Sequence, residues 1–304
     1  MSRSSVVVLD GGLSNALEDR GHDLSGDLWT ARLLRDAPSE IAAVHRTYFG
    51  AGAQVATTAS YQASLEGFTR LGLSRADAEA LIGHSVLLAR EVCDDLAEDG
   101  VERWVAASVG PYGAALADGS EYRGRYGVTA AHLRAFHRPR LELLASAGPD
   151  LVAVETIPDV DEAAVLVELL DEIGLPAWFS YSAERLKTRA GQSLEEAFRF
   201  AASARSVVAI GVNCCAPGDV QPAVRLAVET TGLPAVAYPN RGESWDPVRQ
   251  AWTGQGGFDP GLAPAWVDAG ARYVGGCCRV GPSDITALAD AVLGSAERAS
   301  HVAI

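Results

Sequence analysis

The chain of 304 residues is long enough for one large domain or two small ones. Its hydrophobic fraction of 48% supplies ample material for a buried core, which excludes an extensively disordered protein. A formal net charge of −14 repels phosphate backbones and anionic lipid, so the composition disfavours nucleic-acid and membrane partners and favours small-molecule substrates.

The beginning of the chain, MSRSSVVVLDGG, lacks the charged, apolar and cleavage segments of a signal peptide. No window approaches the roughly 18 uninterrupted apolar residues that a membrane-spanning helix needs. We therefore predict a cytoplasmic protein. In a reducing cytoplasm an odd number of clustered cysteines, here five, indicates metal binding or catalysis before a disulfide framework.

Eight short apolar runs predict β-strands along the chain, and helical patterns lie between them. The runs do not alternate apolar with polar residues, which is typical of parallel strands that helices cover. They comprise residues 6–10, 54–60, 104–110, 151–156, 177–182, 207–213, 235–240 and 272–276.

Capping signals predict where several of the intervening helices begin and end. Ser74 with Asp77 opens one amphipathic helix, and Ser193 with Glu196 opens another. Glycines also lie where a helix should stop before the next strand, at positions 148, 174, 232 and 270.

The alternation of eight strands with helices predicts an α/β protein built as a single (β/α)8 TIM barrel. A doubly wound open sheet is the alternative, but no G-x-G-x-x-G dinucleotide motif follows any predicted strand. No linker, repeat or low-complexity segment divides the chain. Two long connections follow predicted strands, at residues 111–127 and 241–261, and they are candidates for a substrate cover or for tolerated surface loops.

Four of the cysteines form two adjacent pairs, each directly after a predicted strand. Cys214–Cys215 follows the sixth strand and Cys277–Cys278 the eighth, so both pairs belong on the active face of a barrel. Neighbouring strand residues point to opposite sides, so the second pair shares a target only where the chain leaves its extended path, which Gly275–Gly276 allows. Three converging thiolates suit Zn²⁺, with a fourth position open for water or substrate.

Other interpretations of these cysteines stay open at this point. Cys277 and Cys278 could form a vicinal disulfide, and any of the four could pack as a small hydrophobic side chain. Cys93 lies on the apolar stripe of the helix that Ser74 opens, and we assign it to the core.

A zinc ion with three thiolate ligands favours one kind of chemistry. Its net charge of −1 makes it poor at polarising carbonyls and at activating water. A substrate thiol in the fourth position would lose its proton at neutral pH and keep much of its nucleophilicity. The expected reaction is alkylation of sulfur.

The motifs around these residues resemble those of the zinc-dependent homocysteine S-methyltransferases, in particular the branch that uses S-methylmethionine as methyl donor. The resemblance runs through nearly the whole chain, and GVNCC with GGCCR is its most specific part. The motifs are LDGGLSNALE (9–18), TTASYQAS (57–64), SVGPYGAALADGSEYRG (108–124), ETIP (155–158), GVNCC (211–215), YPNRGE (238–243) and GGCCR (275–279).

The resemblance implies that Cys214, Cys277 and Cys278 hold the zinc and act in catalysis, with Cys215 outside the metal's ligands. It implies a single homocysteine-binding (β/α)8 barrel over residues 1–304, with a short flexible tail from about residue 295. It further implies transfer of a methyl group from S-methylmethionine, with S-adenosylmethionine as the alternative donor, to the homocysteine thiolate, which gives methionine. The partners are then small molecules, and we expect a monomer.

Three further positions are assigned by the same resemblance. Asp10 and Glu155 correspond to carboxylates that bind the amino-acid end of homocysteine, a role that charge-assisted hydrogen bonds to an ammonium group would support. Without the resemblance, Asp10 reads as a helix cap or turn residue and Glu155 as a solvated strand end. Asn240 is similar to an asparagine that approaches zinc before homocysteine arrives. The GGCCR segment departs from many relatives at Val280 and Asp284, which leaves donor details inferred from it open.

Aromatic residues of the long connections are candidates for contact with the cationic sulfur of the donor. They are Tyr112, Tyr122 and Trp245, although exposed loop aromatics are the more common explanation. The proposed in-line transfer relies on orientation and on exclusion of water, because a sulfonium already carries a good leaving group.

Functions of other classes fit the sequence less well. A Schiff-base aldolase would need a lysine at a strand end, and the single lysine, Lys187, lies past the fifth strand. None of the six histidines ends a predicted strand, which disfavours a histidine-based metallohydrolase. A non-catalytic zinc-thiolate or redox-sensing barrel would share the cysteines but would leave Asp10 and Glu155 without a task.

Overall fold

Eight parallel strands close into a ring in a computed structural model that describes residues 6–24, 28–246, 251–254 and 256–302. The side chains of Trp29 and of residues 244–246, 251–252 and 295–302 are outside this description. In chain order the barrel strands are β1 (Val7–Val8), β2 (Val55–Thr57), β3 (Trp104–Val109), β4 (Leu151–Ile157), β5 (Ala177–Glu184), β6 (Val207–Asn213), β7 (Ala235–Tyr238) and β8 (Ala271–Val274).

Each barrel strand pairs in parallel with its neighbours in the sequence, from β2 through β8, and β8 pairs with β1. The ring closes between β1 and β2 through a single parallel bridge from Leu9 to Val55. The predicted (β/α)8 barrel is thereby confirmed, and the open doubly wound alternative is wrong.

Side chains of alternate residues fill the inside of the ring. Every strand contributes at least one apolar side chain to this interior cluster, and Trp178 is its largest fully buried member. The residues between them point outward to a second and larger apolar cluster that the helices cover. Burial on both faces explains why the strands read as continuous apolar runs.

Helices occupy the connections between strands. They are α1 (Leu13–Glu18), α2 (Trp29–Asp36), α3 (Pro38–Gly50), α4 (Leu65–Arg70), α5 (Arg75–Asp95), α6 (Tyr112–Leu116), α7 (Ala130–Ser146), α8 (Val160–Ile173), α9 (Leu194–Ala201), α10 (Pro217–Thr231), α11 (Ala263–Asp268) and α12 (Pro282–Val302). Short 3-10 turns lie at Ala97–Asp99, Ser120–Tyr122 and Pro260–Leu262.

The structure confirms the helix caps predicted from the sequence. The Ser74 hydroxyl accepts a hydrogen bond from the Asp77 amide at the start of α5, and the Ser193 hydroxyl accepts one from the Glu196 amide at the start of α9. The four predicted stop glycines, at 148, 174, 232 and 270, all have a positive φ that favours glycine.

The two long connections have structure of their own. Residues 111–127 contain α6 and the turn Ser120–Tyr122, whereas residues 241–261 contain a two-stranded antiparallel ribbon of Ser244–Asp246 and Ala251–Thr253. A further short strand, Lys187–Thr188, folds back on β5 as a hairpin.

The carboxy-terminal helix α12 is interrupted at Gly294, whose φ of 61° and ψ of 165° are not helical. The predicted flexible tail from about residue 295 falls where side chains are not described, and its flexibility stays a prediction. Among the described residues no helix has the length and apolar character needed to cross a membrane.

Candidate active site

A cavity opens at the carboxyl ends of the barrel strands, where the sequence placed its candidate residues. The carboxyl ends of seven of the eight strands, or the loops that follow them, contribute to its wall. The lining residues are Gly11, Gly12, Leu13, Ser14, Asn15, Thr30, Thr57, Thr58, Ala59, Tyr61, Ser108, Tyr122, Glu155, Thr156, Cys214, Tyr238, Cys277 and Cys278.

Three cysteine side chains converge in this cavity. The Sγ atom of Cys214 lies 2.9 Å from that of Cys277 and 3.8 Å from that of Cys278, and all three sulfur atoms lie within 4.8 Å of one another. All three are free thiols, because a disulfide requires a sulfur separation of about 2.05 Å. The predicted convergence of two strand ends on one point is confirmed, and Cys277 and Cys278 do not form a vicinal disulfide.

The turn that carries Cys277 and Cys278 is held by main-chain contacts to the loop after β7. The Cys277 amide donates to the Pro239 carbonyl at 2.7 Å, and the Arg241 amide donates to the Cys278 carbonyl at 3.0 Å. The Asn240 side chain accepts a hydrogen bond from the Cys278 amide at 3.2 Å. The YPNR segment therefore fixes the cysteine turn.

Gly275 and Gly276 serve this turn by close packing rather than by unusual dihedral angles. Neither has a positive φ. A Cβ on Gly275 would meet Leu9 Cβ at 2.6 Å, and a Cβ on Gly276 would meet Val280 Cγ1 at 2.2 Å. The left-handed residue on this side of the cavity is instead Arg279, with φ 66°.

The other two cysteines lie elsewhere. Cys215 is 1% exposed and packs in the apolar cluster between the strands and the helices, on the opposite side of the chain from Cys214. The left-handed φ of 48° at Cys214 turns the chain at this point. Cys93 is buried on α5 in the same cluster, as predicted.

The donor set of the three converging cysteines fits a metal ion. Ligands about 2.3 Å from a tetrahedral zinc ion are roughly 3.8 Å apart, which the Cys214–Cys278 distance of 3.8 Å matches. The Cys214–Cys277 pair, at 2.9 Å, would open by roughly 1 Å to fit the same geometry. Soft sulfur donors of this number favour zinc over hard cations such as Mg²⁺.

Asp10 lies at the end of β1, behind the cavity wall, and is 2% exposed. Its Oδ1 accepts hydrogen bonds from the Tyr238 hydroxyl at 2.6 Å and from the Thr57 hydroxyl at 2.9 Å. Its Oδ2 accepts from the Thr57 amide at 2.7 Å. Burial raises the pKa of Asp10 to about 6 even though these hydrogen bonds act in the opposite direction.

Glu155 lies near the carboxyl end of β4 and lines the cavity directly, with 6% of its surface exposed. One hydrogen bond reaches it within the described residues, from the Ser108 hydroxyl to Oε1. Burial raises the pKa of Glu155 to about 8, and the neighbouring Cys277 and Asp10 charges act in the same direction. This carboxylate has acceptor capacity to spare for a cationic group of a ligand.

Asn240 lies beside the cysteines but is not part of the cavity wall. Its side-chain oxygen is engaged by the Cys278 amide, and its own amide donates to the Cys215 carbonyl at 2.9 Å. The structure thus places Asn240 as a support of the cysteine turn.

The three candidate aromatic residues have different surroundings. Tyr122 lines the cavity, as proposed. Tyr112 instead packs edge-on against Tyr126, His132 and Phe136, away from the cavity. The side chain of Trp245 lies outside the described residues.

Sequence reasoning missed several residues of the wall. Thr57 and Tyr238 hold Asp10, and Ser108 holds Glu155. Each lies in or directly beside a motif already singled out, TTAS, YPN or SVG, and each ends or nearly ends a barrel strand. Polar residues at the carboxyl ends of otherwise apolar strands were the signal that would have found them.

Comparison with protein families gives a match over nearly the whole chain. A family model described as "Homocysteine S-methyltransferase" matches residues 7–292. Curated proteins with similar sequences carry related names. Homocysteine S-methyltransferase of Escherichia coli is 44% identical over 298 residues, which covers 95% of this chain and 96% of that protein. Selenocysteine Se-methyltransferase of Brassica oleracea is 41% identical over 302 residues, with 93% and 87% covered.

Solved structures show the same likeness in three dimensions. The metallated form of the homocysteine methyltransferase MmuM from Escherichia coli superposes with a TM-score of 0.84 at 42% identity, covering 94% of this chain and 96% of that one. The oxidized form of that protein gives a TM-score of 0.83 and its apo form 0.75.

Proposed function

Because the chain belongs to the homocysteine S-methyltransferase family, we propose that it carries a methyl group from a sulfonium donor to the thiol of L-homocysteine in a zinc-dependent reaction. As a member of that family the protein is a methyltransferase. The proposal adds the metal, its ligands, the substrate contacts and the donor. S-methylmethionine is the proposed donor, with S-adenosylmethionine as the second candidate.

One observation carries the proposal. Three cysteine sulfur atoms within 4.8 Å of one another share a cavity with Glu155, a buried carboxylate that has only the Ser108 hydroxyl as a partner among the described residues. A soft metal site next to an anionic site is what a ligand with both a thiol and an ammonium group requires. Homocysteine is such a ligand.

Cys214, Cys277 and Cys278 are the proposed metal ligands. When bound, Zn²⁺ would lower the pKa of the homocysteine thiol so that it is a thiolate at neutral pH. The cysteine turn is held by residues 239–241, and this support keeps two of the three ligands in place without substrate.

Glu155 and Asp10 are the proposed partners of the homocysteine ammonium group. Glu155 faces the cavity and would make the direct contact, whereas Asp10 stands behind Thr57 and Tyr238 and adds negative charge to that side of the cavity. An incoming ammonium group favours the ionised form of Glu155, whose pKa burial raises to about 8. Binding would therefore be accompanied by loss of a proton from this carboxyl group.

The reaction balances without a covalent enzyme intermediate. The homocysteine sulfur forms a bond to the methyl carbon while the bond from that carbon to the sulfonium sulfur breaks. The electron pair of the broken bond stays on the donor sulfur, which leaves as a neutral thioether, and the thiol proton goes to solvent. With S-methylmethionine both products are methionine.

The aromatic residues Tyr61 and Tyr122 line the cavity, and Tyr122 belongs to the long connection 111–127. Aromatic rings can stabilise cations, which supports a sulfonium donor. We propose that one barrel, residues 1–304, suffices for the reaction as a monomer in the cytoplasm.

The first test measures zinc and methyl transfer in the same preparations. Protein purified under reducing conditions should contain about one zinc per chain by elemental analysis and should form methionine from homocysteine and S-methylmethionine. The Cys277→Ser variant should lose nearly all of both, because three protein ligands are the minimum for such a site. Cys215→Ser is the matched control, since this neighbour of Cys214 points into the apolar cluster. Parent protein that takes up no zinc when reduced, or that binds zinc and transfers no methyl group from either donor, would refute the proposal.

A second test separates a methyltransferase from a non-catalytic zinc-thiolate or redox-sensing barrel. Glu155→Gln removes the charge-assisted contact to the substrate, worth about 1.5–3 kcal/mol, so KM for homocysteine should rise by about 10- to 100-fold while zinc stays bound. Glu184→Gln, at the exposed end of β5 and outside the cavity, should leave KM unchanged. In a barrel that only stores zinc or senses oxidants, Glu155→Gln would have no effect on function.

A further inference from the structure

The backbone at Thr156, the residue after Glu155, is in an unfavourable conformation. Its φ of 62° is left-handed, and Thr is β-branched, for which this region is a genuine outlier. Conformations of this kind persist only where surrounding contacts enforce them. Thr156 is 1% exposed and lines the cavity, so the enforcing contacts lie within the protein.

This conformation belongs to an irregularity in β4. Val154 pairs with Phe179 and Ile157 with Tyr181, so the step from one pair to the next takes three residues on β4 and two on β5. The extra residue is a β-bulge, and it changes which side chains face inward. Ile157 returns to the outer apolar cluster, and Glu155 and Thr156 both reach the cavity.

The Asn213 side chain holds Thr156 through two hydrogen bonds. Its Oδ1 accepts from the Thr156 amide at 2.6 Å, and its Nδ2 donates to the Thr156 hydroxyl at 2.7 Å. Asn213 is fully buried at the end of β6, and its backbone is in register with Ser182 on β5 and Tyr238 on β7. Because its backbone is paired on both flanks, the Asn213 side chain is a rigid support for Thr156.

Asn213 is also the residue directly before Cys214, which itself turns with a left-handed φ of 48°. We propose that the Asn213 carboxamide is a positioning residue that holds Thr156 in its left-handed conformation and so directs Glu155 on β4 and Cys214 on β6 toward the same point. The roles of Glu155 and Cys214 rest on the proposed function. The hydrogen bonds that join the two strand ends do not.

The test first removes the Asn213 carboxamide and then, in a double variant, also removes the steric cost of the left-handed conformation at residue 156. Asn213→Ala should lower kcat/KM by about 100-fold, because a misplacement of roughly 1 Å at a reacting centre costs this much. It should also speed the loss of zinc to a chelator, because Cys214 is released. Thr156→Gly added to Asn213→Ala should restore kcat/KM and zinc retention by at least about tenfold, since glycine adopts this φ without the steric cost.

Two controls distinguish positioning from simple packing. Ser182→Ala removes a 3.4 Å contact to the Thr156 carbonyl and leaves the hydrogen bonds between Asn213 and Thr156 intact, so both readouts should stay near those of the parent. If Asn213 only fills space, Thr156→Gly would restore neither readout in the Asn213→Ala variant and would lower its stability further, because glycine increases the conformational entropy of the unfolded chain. A double variant no better than Asn213→Ala overturns the proposal.

A variant that fails to fold and a parent protein that lacks activity lead to different conclusions. If Asn213→Ala does not fold but the double variant does, the rescue stands. If neither folds, the proposal is overturned. Parent protein that binds zinc without transferring methyl groups refutes the proposed function, and the rescue is then read from zinc retention alone.

Discussion

Asp10 and Glu155, near the carboxyl ends of β1 and β4, are buried, and burial disfavours the charged form of each carboxyl group. Burial raises the pKa of Asp10 to about 6 and that of Glu155 to about 8, and the difference follows the negative charges near Glu155 and the number of hydrogen bonds to each group. Three donors stabilise ionised Asp10, whereas one donor reaches Glu155. Glu155 therefore gains more from a cationic ligand, which supports its assignment as the direct contact.

Burial of His45 on α3 should make the folded protein less stable in acid. His45 is 1% exposed, neither ring nitrogen has a partner among the described residues, and burial lowers its pKa to about 4. Below its ordinary pKa of about 6.5 the unfolded chain binds a proton that the folded chain does not bind. The free energy of unfolding should therefore fall by up to about 3 kcal/mol as the pH drops from about 6.5 to 4.

The measurement is denaturant unfolding at a series of pH values for the parent and for His45→Leu. The variant should lack this part of the acid slope, since leucine takes up no proton. His84→Leu is the control, because this histidine is half-buried on α5. Equal acid slopes for the parent and His45→Leu would contradict the prediction.

The sequence predicts which side chains face the cavity where a regular strand pattern determines the side to which they point. Both cysteine pairs were placed on one face because strand ends of a barrel face one way, and the family resemblance then selected Cys214 over Cys215. Tyr112 and Tyr122 looked alike within one connection, yet only Tyr122 lines the cavity. The turn that separates them follows Gly119 in a left-handed conformation and packs on Gly113, contacts that no local pattern reveals.

At the scale of elements, one carboxylate fastens both ends of the connection 111–127. Glu162, in the first turn of α8, accepts hydrogen bonds from the Tyr112 amide at 2.6 Å and from the Tyr126 hydroxyl at 3.1 Å. It also contacts His137 of α7 at 2.8 Å, and both side chains are at most 1% exposed. The connection that carries Tyr122 is thus tied to two helices behind the barrel.

Removing this carboxylate should loosen the connection and the fold together. Glu162→Ala leaves the Tyr112 amide and His137 without their buried acceptor, which should lower the free energy of unfolding by about 3–5 kcal/mol. Trypsin should cleave after Arg123 or Arg125 faster than in the parent under native conditions. Glu162→Gln keeps an acceptor for the amide and should give a smaller change in both measurements. Unaltered cleavage in Glu162→Ala would show that other contacts hold the connection.

The sequence predicted where some helices begin, but it did not predict the irregularity within β4. Caps such as Ser74 and Ser193 are local, so the sequence reveals them. The bulge at Thr156 is not local, because its conformation depends on Asn213, 57 positions away in the chain. The run LVAVET reads as a regular strand for this reason.

At the scale of the whole molecule, the barrel brings together residues that are far apart in sequence. Asp10, Glu155, Cys214 and Cys277 belong to four different strand ends that parallel closure turns to one side. The order of strands followed from the sequence, because βα units in series permit few arrangements. The exact separations of the sulfur atoms did not, since they depend on packing at Gly275 and Gly276 and on contacts from residues 239–241.

β1 and β2 are joined by a single bridge, whereas each other neighbouring pair of barrel strands is joined at two or more positions. Beyond the Leu9–Val55 bridge this closure relies on the Gln54 amide, which donates to the Val8 carbonyl at 2.7 Å, and on the bonds from Thr57 to Asp10. Asp10 thus joins the two strands at the seam of the barrel, and it is also the carboxylate that we propose to act near the substrate ammonium group. On that proposal, a ligand that interacts with Asp10 acts on the joint that completes the ring, so occupancy of the cavity would be linked to closure of the barrel.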